Sequence, residues 1–119
     1  MATMHTEERV GEAWKQHRMG NNSGAIEIFQ DILSQRPGHL DALYGLGLAQ
    51  RAEGKLDLAT ETFNKAAQLN AEALAALETQ SVVDGHKGNN DLDTYEDDRF
   101  MMLSRMISQR LEEIEAAAE

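Results

Sequence analysis

LDALYGLGLAQRAEGKLDLATETFNKAA, residues 40–67, is the stretch that decides the fold. Its apolar positions Leu43 and Leu46, then Leu56, Ala59, Phe63 and Ala66, recur at helical spacing, and Gly54 separates the two runs. A glycine at that point closes the first helix in a left-handed conformation that other residues adopt only at a cost. The stretch therefore reads as two helices, about 40–53 and 56–69, folded back on one another. Gly47, Ala59 and Ala66 are small where antiparallel helices must approach closely. Phe63 is large and fills the space between successive units.

Working outward, the same pattern returns at an interval of 34 residues: Gly54 with Gly20, Ala59 with Ala25, Phe63 with Phe29, and Gly47 with Ala13. Gly88 lies one further interval on, and Gly20-Asn21-Asn22 reappears as Gly88-Asn89-Asn90. Self-similarity at a fixed period of this length marks a stacked repeat. The chain then divides into helices at about 6–19, 23–36, 40–53, 56–69, 71–84 and 95–117, with Pro37 following a helix that it cannot continue. A single proline, 5% aromatics and abundant Ala and Leu place the chain in the all-α class.

A 34-residue unit of two helices and a turn resembles the tetratricopeptide repeat. The second unit carries the resemblance best, with Leu43, Leu46, Gly47, Gly54, Leu56, Ala59, Phe63 and Ala66 in that family's order. The first unit matches in its second half, through Gly20, Ala25, Phe29 and Pro37, while Arg9 and Glu12 stand where the family prefers large apolar residues. The third begins at Leu74 and Leu77 and then departs, because Asp93 and Asp97 replace the small and the aromatic residue. The resemblance covers about residues 6–119. It implies an all-α, right-handed superhelical solenoid of antiparallel helix pairs, preceded by a flexible tail, 1–5. The repeat units are about 6–39, 40–73 and an irregular 74–119. Such a stack is held by neighbour contacts alone and needs about three units. The last helix, with its stripe Phe100, Leu103, Ile107, Leu111 and Ile114, is therefore expected to pack on the third unit and close the stack, with Thr94 and Asp97 as a capping pair at its start.

Composition removes several functions. Lys and Arg number 11 against 21 Asp and Glu, a net charge of −10, which gives phosphate backbones and anionic lipid no electrostatic hold. Nucleic acid and membrane are not expected partners, and with no apolar run approaching about 18 residues the expected location is cytoplasmic. The absence of cysteine removes disulfides, thiolate metal sites and thiol nucleophiles. His5, His17, His39 and His86 lack metal-ligand spacing. The acidic run from Asn89 to Asp98 fails as a calcium loop, since Thr94 takes the place of the turn glycine and Phe100 that of the closing Glu. No enzymatic activity, metal or cofactor is expected. The acidity lies mainly in the second part: residues 1–70 hold 7 basic and 9 acidic residues, residues 71–119 hold 4 and 12.

Function is sought on the inner stripe of the first helices. Asp41, Tyr44, Leu48 and Arg51 keep a straight line along the helix from 40 to 53. The equivalents one period earlier are Glu7, Val10, Trp14 and His17, and one period later Ala75, Glu78, Val82 and Gly85. In the resembled family this stripe lines a concave groove that binds peptide segments. Val10, Trp14, His17, Arg18, Tyr44, Leu48, Arg51, Glu78 and Val82 are thus the candidate peptide-binding residues. Trp14 also fits a packing face with Val10, Ala13 and His17. The partner expected from the stripe carries an apolar anchor against Trp14, Tyr44 and Leu48 and an acidic residue meeting Arg51. The variety of these repeats that grips chaperone C-terminal carboxylates uses Asn and Lys, where Val10, Trp14, Tyr44 and Leu48 stand here. The leading expectation is a protein-binding adaptor. The alternative is a structural oligomerisation module, a homodimer formed through the last helix, where Met101, Met102 and Met106 widen the apolar arc.

Overall fold

The computed structural model describes the backbone of residues 5–84 and 91–118 and the side chains of residues 5–77 and 99–117. These residues form five helices and no strand: α1 (Thr6–Arg18), α2 (Asn22–Gln35), α3 (Leu40–Ala52), α4 (Leu56–Asp84) and α5 (Asp91–Ala118).

Turn chemistry sets the first two hairpins. Gly20 and Gly54 have φ of 85° and 79°, and each lets the next residue close the preceding helix: Asn21 N–H donates to Gln16 O at 2.9 Å, and Lys55 N–H to Gln50 O at 2.9 Å. Paired with the Gly20 to His17 and Gly54 to Arg51 bonds, these satisfy carbonyls that a helix end leaves bare. α2 and α3 are each capped by the side chain of the residue before them. The Asn21 side chain accepts from Gly24 N–H at 3.2 Å, and the His39 ring accepts from Ala42 N–H at 3.1 Å.

Two phenylalanines lock α3 into the middle of the stack. A β-carbon on Gly47 would stand 2.6 Å from the Phe63 ring, and one on Gly45 would overlap the Phe29 ring. Both rings are fully buried. The close approach anticipated at Gly47 is present, and the one at Gly45 is new. Around Phe29 gather Val10, Ala13, Ala25, Ile32, Ala42, Leu46 and Ala49; around Phe63 gather Leu43, Tyr44, Ala59 and Ala66, joined by Ile107 and Ile114 of α5.

The second half departs from the periodic expectation. No break occurs near residue 70, and the helices expected at 56–69 and 71–84 are one helix of 29 residues. The cause is local: one period after Pro37-Gly38-His39 stand Ala71-Glu72-Ala73, which continue a helix where Pro and Gly end one. The chain returns only with α5, which begins at Asp91 rather than 95, so Thr94 and Asp97 lie inside it and do not cap it. Gly88 lies outside the described residues. α5 runs antiparallel to α4: the Asn70 amide, 1% exposed, donates to Phe100 O at 2.8 Å, while Phe63, earlier in α4, clusters with Ile107 and Ile114, later in α5. It therefore closes on the second unit rather than on a third, placing Ile107 and Ile114 against the Phe63 cluster. Each such side chain, fully buried, contributes about 1.5–3 kcal/mol.

Candidate functional site

On α1, Val10 and Ala13 are buried beside Phe29. Trp14 is half-buried between the two clusters, edge-on to Phe29 at 5.5 Å and to His17 at 6.0 Å between ring centroids. The packing face that Val10, Ala13 and Trp14 make is thus occupied by α2. His17 Nδ1 lies 2.7 Å from Asn22 Oδ1, which ties the end of α1 to the start of α2. Arg18 is exposed.

On α3, the stripe Tyr44, Leu48 and Arg51 meets α5. Tyr44 is 7% exposed, its ring 5.8 Å from that of Phe63, and Leu48 packs on the cluster that holds Ile107, Leu111 and Ile114. Arg51 Nη1 donates to Glu113 Oε1 at 2.5 Å, while Glu113 Oε2 takes Arg110 at 3.1 Å. Burial pushes the Tyr44 phenol pKa up; the Arg110 and Arg51 guanidiniums oppose this and Glu113 adds to it. The apolar anchor and acid that the stripe was read to require are therefore supplied by the protein's own last helix, as Ile107 and Ile114 with Glu113. Glu78 and Val82, read as the third segment of the stripe, lie on the continuation of α4 and outside the described side chains.

What remains open lies at the other end of the same inner helices. Leu40 and Asp41 of α3 and Arg99, Phe100, Met102, Leu103 and Met106 of α5 enclose a cavity of about 260 Å³. A second, of about 360 Å³, is lined by Glu7, Val10 and Gly11 of α1 with His39, Asp41 and Arg99. The two share Asp41 and Arg99, so they form one cleft crossing α1, α3 and α5. Its α5 wall is apolar and open to solvent: Met102 and Met106, which line it, are 58% and 37% exposed, and Met101 beside them is 46% exposed. Among the described residues Glu7, Asp41 and Arg99 form no ion pair. The sequence pointed to Val10 and to the methionines separately. It missed that Leu40, Arg99, Phe100 and Leu103 would meet them, because their meeting depends on α5 taking the place beside α3.

Among the described residues no group of three His, Asp or Glu is placed to hold a metal ion, and no helix is long and apolar enough to cross a membrane. His39 and His17 serve helix ends, as above.

The family model of the tetratricopeptide repeat matches residues 17–81, more than half of the chain and narrower than the span read from the repeat pattern. Two solved structures share the fold at 20% identity. One, the Yersinia enterocolitica type III secretion translocator chaperone SycD in an alternative dimer, has a TM-score of 0.54, with 99% of this chain and 97% of that one covered. The other, a further structure of the same chaperone, has a TM-score of 0.53, with 94% and 84% covered. No curated protein sequence is significantly similar to the chain.

Proposed function

We propose a role that starts from family: the chain belongs to the tetratricopeptide-repeat family, and it acts as a non-enzymatic, protein-binding adaptor that receives a segment of another protein in the cleft between α1, α3 and α5. The observation that carries this reading is the open apolar cleft itself, with a cavity of about 260 Å³ and an exposed methionine wall beside it. Methionine adapts its shape to varied partners, so such a wall suits peptide capture. The solved neighbours are both described as chaperones of a secretion translocator, a role of the same protein-binding class. Of the groove residues read from sequence, Val10 lines the cleft. Trp14, His17 and Arg18 lie further along α1, away from it, and Tyr44, Leu48 and Arg51 hold α5 in place beyond it, at Ile107 to Ile114.

Affinity selection of a binding segment, followed by titration of Met102→Glu and Met106→Glu, tests the reading. Both side chains are solvent-exposed, so both variants fold, and each weakens binding at least about tenfold. Unchanged affinity in both removes the cleft as the site.

The exposure of Met101, Met102 and Met106 also favours a second reading, pairing of two copies through α5. One SycD neighbour is described as an alternative dimer. Light scattering across a concentration series separates the two, because Met102→Glu with Met106→Glu converts a dimer of this kind into a folded monomer.

A further inference from the structure

Charge decides what kind of segment the cleft takes. Residues 71–98, the continuation of α4 and the beginning of α5, hold eight carboxylates (Glu72, Glu78, Asp84, Asp91, Asp93, Glu96, Asp97 and Asp98) against one base, Lys87. That segment alone carries −7 of the net −10. α5 runs from it directly into Arg99 and Phe100, where the apolar cavity begins. The cleft itself is lined by two carboxylates that form no ion pair among the described residues, Asp41 and Glu7, and by the guanidinium of Arg99. The apolar pocket therefore has two carboxylates against one guanidinium in its own lining, and the stretch that leads into Arg99 is acidic in sequence.

Two occupants fit an apolar wall, and the charge separates them. A second copy would bring its own −10 to the same place, and like charges across an interface oppose association. A basic segment is drawn in by the same field. We infer that the cleft selects an extended segment of a partner protein in which one large aliphatic or aromatic side chain fills the cavity between α3 and α5 and adjacent Lys or Arg residues face Asp41 and Glu7. This rests on the cleft reading above and adds to it the class of partner. It also reverses the polarity read from the sequence, because Arg51, the base that an acidic partner was to meet, is engaged by Glu113.

The test is selection from a displayed library of random 12-residue peptides on the intact chain, followed by fluorescence anisotropy with the selected peptides made synthetically. The selected sequences combine an apolar residue with Lys or Arg within about four positions. Their affinity falls at least about tenfold in Met106→Glu, at least about threefold in Asp41→Lys, and steadily as salt rises from about 0.05 to about 0.5 M, since exposed charges are screened over that range. Exchanging the peptide's bases for Glu restores part of the affinity in Asp41→Lys and removes it in wild type. Acidic or uncharged selected peptides that still depend on Met106 overturn the basic-partner inference and leave the cleft standing. Selected peptides indifferent to both Met106→Glu and Asp41→Lys, or no selection at all, overturn both.

Discussion

Arg51 and Glu113, 62 positions apart, meet at 2.5 Å at the C-terminal ends of two helices that run side by side. This pairing, with Leu40 and Asp41 facing Phe100 and Met102 across one cavity, sets α5 parallel to α3, where the repeat pattern would set the first helix of a third unit. Because both side chains are partly solvent-exposed, at 31% and 43%, the pair is worth little in itself, about 0–1 kcal/mol. A double-mutant cycle of Arg51→Ala and Glu113→Gln in urea gives a coupling within that range, and salt reduces it. No coupling together with a loosened α5 in hydrogen exchange would show that the two helices do not lie as described.

Gly47 admits no side chain. Gly47→Ala destabilises the fold although Ala is the better helix former, and Gly47→Leu does so by about 1–3 kcal/mol or more, because the Phe63 ring cannot yield within a fully buried cluster. Thermal melting checks this. A raised melting temperature in either variant contradicts the contact.

The repeat shows why part of the core was legible and part was not. Gly20, Gly54, Phe29 and Phe63 declare themselves by period and by chemistry. Gly45 has a periodic counterpart in Gly11, yet a β-carbon on Gly11 would meet nothing within 4 Å, since among the described residues no ring packs on it as Phe29 packs on Gly45. The fusion at Ala71-Glu72-Ala73 could have been read from the missing Pro and Gly. Where α5 would land could not, since its position depends on side chains distant in sequence: Ile107 and Ile114 with Phe63, and Asn70 with Phe100. The site followed α5, so Tyr44, Leu48 and Arg51 became its seat and the open surface moved to Asp41 and the methionines.

α5 belongs to the fold rather than hanging from it. Ile107→Ala costs about 2–5 kcal/mol and Phe63→Ala about 3–5 kcal/mol, since both side chains are fully buried in one cluster. A chain ending at residue 98 exposes Tyr44 and Phe63 and aggregates or melts without cooperativity. Circular dichroism and light scattering decide it, and a monomeric, cooperatively melting fragment would contradict this placement of α5.

Burial raises the Tyr44 pKa above its ordinary value of 10.0, so the folded chain holds the phenolic proton more tightly than the unfolded chain does. The associated stability is complete below about pH 10 and is lost as pH rises through the folded value. Urea unfolding of wild type and Tyr44→Phe at about pH 8 and about pH 11 checks the sign. Wild type loses more stability between the two pH values than the variant does, and equal losses would place Tyr44 in solvent.

The most direct test of the account is site-specific photocrosslinking in the source cell, with a photoreactive amino acid placed in turn at Met102, at Met106 and, on the exposed face of α4, at Lys65. The account predicts adducts between this chain and another protein from Met102 and Met106 and none from Lys65. Adducts from Lys65 alone, or adducts from the methionines only to a second copy of the chain, would contradict it.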